Sequence, residues 1–139
     1  MKSILPILLF LPLCFFACTK EKRVDRFELL ALAQKVDPTI EPIMAKDMQS
    51  GVRCSKIDGT PIYGPGCIGA FQVKVGPIDM VVLEFENEKT AKKEAERLGQ
   101  WYFHNWVFDE VTGEPYLEDI VQKAFSATYA GPEKKAESN

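Results

Sequence analysis

The chain is short of the side chains on which most enzymes depend. Among its 139 residues there is one histidine, His104, and a lone histidine with no serine-nucleophile motif beside it is weak support for a catalytic centre. No GxxxxGKS or GxxxxGKT pattern occurs, and the glycines between Gly51 and Gly69 lie in turn signals rather than at a strand-to-helix junction, which excludes a phosphate loop. Basic residues number 17 against 20 acidic ones, for a net charge of −3. The two signs are interspersed, with no basic block or stripe, and that balance argues against a nucleic-acid partner. No internal repeat is evident. Long apolar runs are also scarce. The stretch Ile4 to Phe16 is apolar apart from Pro6 and Pro12, and it falls short of the roughly 20 residues that a spanning helix requires.

What that stretch does have is the form of an export signal. Met1-Lys2-Ser3 supplies a positive start, the apolar middle follows, and Ala17 is a small residue before the charged Thr19-Lys20-Glu21-Lys22-Arg23. Phe15-Phe16-Ala17-Cys18 resembles the lipobox of bacterial prolipoproteins. The resemblance implies a signal peptide over residues 1–17, with diacylglycerol on Cys18 and a further acyl chain on its amine. Several chains give stable membrane anchoring where one gives only marginal binding. Cys14 is the poorer candidate, because Leu13 before it is large. The alternatives are an ordinary cleaved signal peptide and an uncleaved anchor. Thr19 stands where a resident of the Gram-negative inner membrane would carry Asp, which implies an outer-membrane position facing the periplasm if the source is Gram-negative. Residues 18–23 would form a tether reaching less than roughly 20 Å, so the folded part is expected close to the bilayer.

On this reading Cys14 leaves with the signal peptide and Cys18 carries lipid. The folded part keeps Cys54 and Cys67, an even pair in an oxidising compartment, and a Cys54–Cys67 disulfide is expected. Catalytic or metal-binding use of the two is the rival reading.

From residue 24 the patterning predicts a single α+β domain over 24–130. Asp25 is a candidate N-cap for a helix from Arg26 to Val36, apolar on more than half its circumference and so expected to be buried, ended by Asp37-Pro38. A shorter helix is expected from Pro42 to Ser50, with Gly51 as its stop. Gly51 to Gly69 reads as a loop with turns at Asp58-Gly59-Thr60-Pro61 and Tyr63-Gly64-Pro65-Gly66. Alternation then predicts two strands around Phe71 to Val75 and Met80 to Glu86, joined at Gly76-Pro77. Glu88 to Leu98 reads as a helix with Ala91, Ala95 and Leu98 inward, Lys92, Lys93, Glu94, Glu96 and Arg97 outward, and Gly99 as its stop. Trp101 to Phe108 reads as a third strand. After Thr112-Gly113-Glu114-Pro115, residues Leu117, Ile120, Val121, Ala124 and Phe125 share one face of a last helix. Residues 131–139 have nothing to bury and are expected to form a disordered tail. If the last two strands are neighbours, they run parallel through a right-handed crossover. The expected fold is thus a small mixed sheet of roughly three to four strands, with helices packed on one face and one disulfide-closed loop.

The aromatic stretch Trp101 to Phe108 is the least ordinary part of this domain. As one strand it would place Tyr102, His104 and Trp106 on a shared face with Phe108, and Trp101, Phe103, Asn105 and Val107 on the other. With Lys74 they would form a candidate binding patch on an open sheet surface, and Tyr63 on the disulfide loop is the next candidate. The other reading is a central strand buried on both faces. Glu84, Glu86 and Glu88 at alternate positions suit the solvated side of a strand and the start of a helix better than paired catalytic acids. No cofactor or metal is implied. Two classes of function follow. One is a membrane-anchored lipoprotein with a small non-catalytic envelope domain that binds a protein or a cell-wall component. The other is a small hydrolase or transferase using His104 and a nearby carboxylate. The second requires a carboxylate or hydroxyl within hydrogen-bond reach of His104 in a concave site.

Overall fold

A computed structural model describes residues 21–47 and 49–132. The export segment, Cys18 and the tail from residue 133 lie outside the described residues. Three helices form where the periodicity places them. In α1 (Arg26–Val36) the Asp25 carboxylate accepts from the Glu28 N–H, and the Glu28 carboxylate reaches back to the Asp25 N–H, satisfying two amides that a helix start leaves open. The helix α2 (Glu88–Leu98) is capped by Asn87 and ended by Gly99 in the left-handed region at φ 65°, a backbone state in which glycine has no Cβ to clash. The helix α3 (Pro115–Phe125) opens on proline, whose missing N–H would have no helical partner in the first turn.

The strands depart from expectation. They are β1 (Glu41–Ile43), β2 (Cys67–Val75), β3 (Ile78–Phe85), β4 (Trp101–Phe103), β5 (Trp106–Asp109) and β6 (Thr128–Tyr129). Together they form one six-stranded sheet in the order β1-β2-β3-β5-β4-β6. Every neighbouring pair is antiparallel, so the sheet is neither mixed nor limited to three or four strands. Among the described residues of Pro42–Ser50, where a helix is expected, none is helical. Pro42 instead sits in the short edge strand β1 opposite Val73, a position where a residue without an N–H is tolerated and discourages further pairing.

The aromatic stretch is a hairpin and not one strand. His104 and Asn105 turn the chain, so Trp101 pairs with Phe108, Tyr102 with Val107 and Phe103 with Trp106. The crossover from β3 through α2 leads to β4, which runs parallel to β3 as expected, but β5 folds back and occupies the position between them.

Helices cover both faces of the sheet, not one. On the first face Leu29 and Ala33 of α1 and Leu117, Ile120, Val121 and Phe125 of α3 pack on Val73, Met80, Val82, Trp106 and Phe108. On the second, Ala91 and Ala95 of α2 pack on Val81, Leu83, Phe85 and Val107. Because consecutive strand residues face opposite ways, β3 and β5 are buried on both sides and contribute to both cores. Although α1 is apolar over much of its surface, it is not a buried helix. Only Leu29 and Ala33 are buried in it, and Phe27 is 83% exposed.

Candidate functional site: the disulfide-braced cleft

Residues 44–66 link β1 to β2 and carry the expected disulfide between Cys54 and Cys67, whose Cα atoms are 5.7 Å apart. The loop is built from local bonds. Asp58 Oδ1 accepts from the Thr60 N–H at 2.9 Å, an isolated bridge joins Ser55 to Pro61, and the Ile62 and Tyr63 N–H groups both donate to the Cys54 carbonyl. The two turn signals read from the sequence thus fold back against each other, and the disulfide ties the small hairpin to the start of β2.

Three further contacts hold the loop against α2, β5 and the segment between β3 and α2. The Gly64 N–H donates to Glu94 Oε1 at 2.8 Å, the Glu86 N–H donates to the Gly66 carbonyl at 2.9 Å, and the Tyr63 hydroxyl donates to Asp109 Oδ2 at 2.9 Å. Gly64 is required by space, because a Cβ there would collide with the Glu94 carboxylate. Glu94 is itself buried, against the expectation that it would point outward. Burying a carboxylate is costly unless it is paired and hydrogen-bonded, and here Arg97 Nε donates to it at 2.8 Å alongside the Gly64 N–H. The Arg97 hydrogen bond holds the Glu94 carboxyl below its ordinary range, with help from Gly64 and against the opposing effect of burial. Burial raises the Tyr63 hydroxyl well above its ordinary value, and the Asp109 charge adds to this, so Tyr63 stays protonated as a donor.

These contacts enclose an open cleft of about 580 Å³, lined among others by Ser55, Pro61, Tyr63, Pro65 and Arg97. A second groove of about 520 Å³ lies at the β2 edge where β1 ends, between Arg26, Met44, Lys46, Gly51 and Phe71. Arg26 stacks over the Phe71 ring at 4.5 Å there.

The side chains singled out from the sequence are not brought together. Trp106 is fully buried, its indole N–H donating to the Val24 carbonyl at 2.8 Å, so it cannot belong to an open surface. Tyr102 is half-buried against the α2 side of the sheet. Lys74 lies on the strand pair far from them, 3.4 Å from Asp79. His104 occupies the hairpin turn at φ 49°, with Nδ1 3.6 Å from Glu88 Oε2, beyond ordinary hydrogen-bond reach. None of the clefts described here is lined by His104. Of the five, Tyr63 is the one that lines either of these two clefts. Glu94, Arg97 and Asp109 were missed. Their signal in the sequence was faint: Glu94 follows Ala91 by three residues, which places it at the margin of the inward stripe.

Among the described residues no group of three or more His, Cys, Asp or Glu side chains is arranged to hold a metal ion, and no helix is long and apolar enough to cross a membrane. Comparison with protein-family models, with curated proteins and with solved structures returns no match.

Proposed function

We infer that this chain is a membrane-anchored bacterial lipoprotein whose small non-catalytic domain binds an envelope protein or cell-wall component. The observation that carries the reading is the short apolar segment ending in Ala17-Cys18. The Cys54–Cys67 disulfide supports it, because such bonds persist in exported proteins and are rare in reducing compartments. The partner is assigned to the cleft beside the disulfide. Its walls are held by the disulfide, the Tyr63–Asp109 bond and the Gly64–Glu94–Arg97 contacts, and a surface already rigid before binding loses less entropy when it binds.

Cys18→Ala with metabolic fatty-acid labelling tests the anchor. Label and membrane association are expected in the parent protein and lost in the variant. Retention of both would overturn the reading. For the partner, affinity capture from envelopes is compared with capture by Tyr63→Ala. A specific species should co-purify with the parent and be depleted with the variant.

A further inference from the structure

The chain carries large apolar side chains in full solvent on one side of its β2 edge. Phe27 and Met44 are each 83% exposed and Ile57 is 71% exposed, whereas residues of this kind are usually inside. They are interleaved with cations. Arg26 precedes Phe27, and Met44 and Lys46 line the groove at the β2 edge. An adjoining groove that shares Gly51 is lined by Arg53, Lys56 and Ile57. In a chain of net charge −3 the linings of these two grooves hold four basic side chains, Arg26, Lys46, Arg53 and Lys56, against one acidic one, Asp58. The carboxylates of the same loop bind its own backbone, Asp47 Oδ1 accepting from the Gln49 and Ser50 N–H groups and Asp58 Oδ1 from the Thr60 N–H, and as anions they offset part of that excess.

The first described residues lead to Arg26 along the end of the sheet where β3 stops and α2 begins. Glu21 accepts from the Glu88 N–H at 2.6 Å, Arg23 pairs with Glu84 at 2.8 Å, and the Val24 N–H donates to Asn105 Oδ1 at 2.9 Å. Glu84 is the register partner of Gly69 on β2, and an Arg26 nitrogen lies 3.9 Å from where a Gly69 Cβ would stand. Cys18 precedes Glu21 by only three residues, roughly 10 Å of extended chain. A lipid on Cys18 would therefore hold Glu21, and with it the end of the sheet from which α1 starts, within about that distance of the bilayer.

We propose that the face bearing Arg26, Phe27, Met44, Lys46, Arg53 and Ile57 docks on an anionic bilayer surface. The proposal rests on the lipid-anchor reading above. Apolar side chains among long cations suit a headgroup layer, where the stems of Arg and Lys lie along apolar material and their charges meet lipid phosphates. The cleft beside the disulfide is then left for the partner, on a domain whose orientation is set by the membrane.

Full-length protein purified from membranes provides the test. Its intact mass records the acyl groups, so a failure of the anchor reading is scored separately. The protein is placed on phosphatidylcholine vesicles with or without phosphatidylglycerol, and amide hydrogen exchange is followed. Amides of residues 44–58 and of the start of α1 should exchange more slowly on the anionic vesicles, with the protection lost at high salt. Protection should fall about fivefold for each cation removed in Lys46→Gln and Lys56→Gln, and be unchanged in the α3 control Lys123→Gln. Equal exchange on both vesicle types, or an equal effect of the control, overturns the proposal. If the mass shows no acyl group, the same protein is sedimented with each vesicle type. Pelleting with anionic vesicles alone upholds the docking face, and absence from both pellets overturns it.

Discussion

Trp106 and Asn105 together fasten the start of the domain to the sheet. The Trp106 indole donates to the Val24 carbonyl, and the Asn105 side chain accepts from the Val24 N–H. Trp106→Ala should cost about 3–5 kcal/mol through the cavity it leaves. Trp106→Phe should cost about 1–3 kcal/mol, since it keeps most of the ring but strands a buried carbonyl. Urea unfolding of both variants measures the difference, and no loss in Trp106→Phe would mean that the indole hydrogen bond adds nothing. Glu94 gives a prediction in pH. Its folded carboxyl titrates below its ordinary value of 4.5, so its contribution to stability is fully present above that value and is lost as pH falls through the lower folded value. Glu94→Gln should be less stable than the parent at neutral pH, and the gap should narrow on acidification below about pH 4.5. Urea midpoints across that range are the measurement, and a constant gap would show that the carboxylate charge is immaterial.

At the scale of elements, the disulfide loop is held by its cross-link and by contacts with α2 and β5 in place of regular secondary structure. The Cys54–Cys67 loop spans 13 residues, and for closure of that size the constraint on the unfolded chain contributes about 3 kcal/mol. Replacing both cysteines with Ser should lower stability by that order and loosen Tyr63, seen as faster exchange of the Gly64 amide. Unreduced, denatured protein should show no alkylatable thiol at either position. The two sheet edges are protected by different means. Pro42 blunts β1, whereas β6 is only the pair Thr128–Tyr129 next to β4. The helices were legible because capping and periodicity are local properties: Asp25, Asn87, Gly99 and Pro115 stand where helix ends require them. Met44 and its neighbours were not. A proline followed by apolar residues at helical spacing also describes an edge strand and the loop after it, and pairing with β2 decided between the two.

For the whole molecule, two cores separated by one sheet raise the question of whether they unfold together. Val81 and Val107 belong to the α2 side while Val82 and Phe108 belong to the other, so neither core can melt without exposing β3 and β5. Tryptophan fluorescence, which reports Trp101 and Trp106 on the first face, and far-ultraviolet circular dichroism should give coincident denaturation curves. Separate transitions would mean that the α2 layer is an independent unit. The sequence by itself determined the three helices, the β2–β3 hairpin and the two cysteines that are joined, because each depends on neighbours a few residues away or on the count of a rare residue. Tertiary structure alone decided that Trp101 to Phe108 folds back on itself. In a strand every residue alternates faces, so a turn at His104 and Asn105 moved Trp106 from the face it would share with Tyr102 and His104 to the same buried face as Trp101 and Phe103. It also decided that Glu94 is an interior carboxylate. Its partners are the Gly64 N–H, 30 residues earlier in the chain, and the guanidinium of Arg97, and helical spacing carries no information about what another segment will bring to a helix's margin.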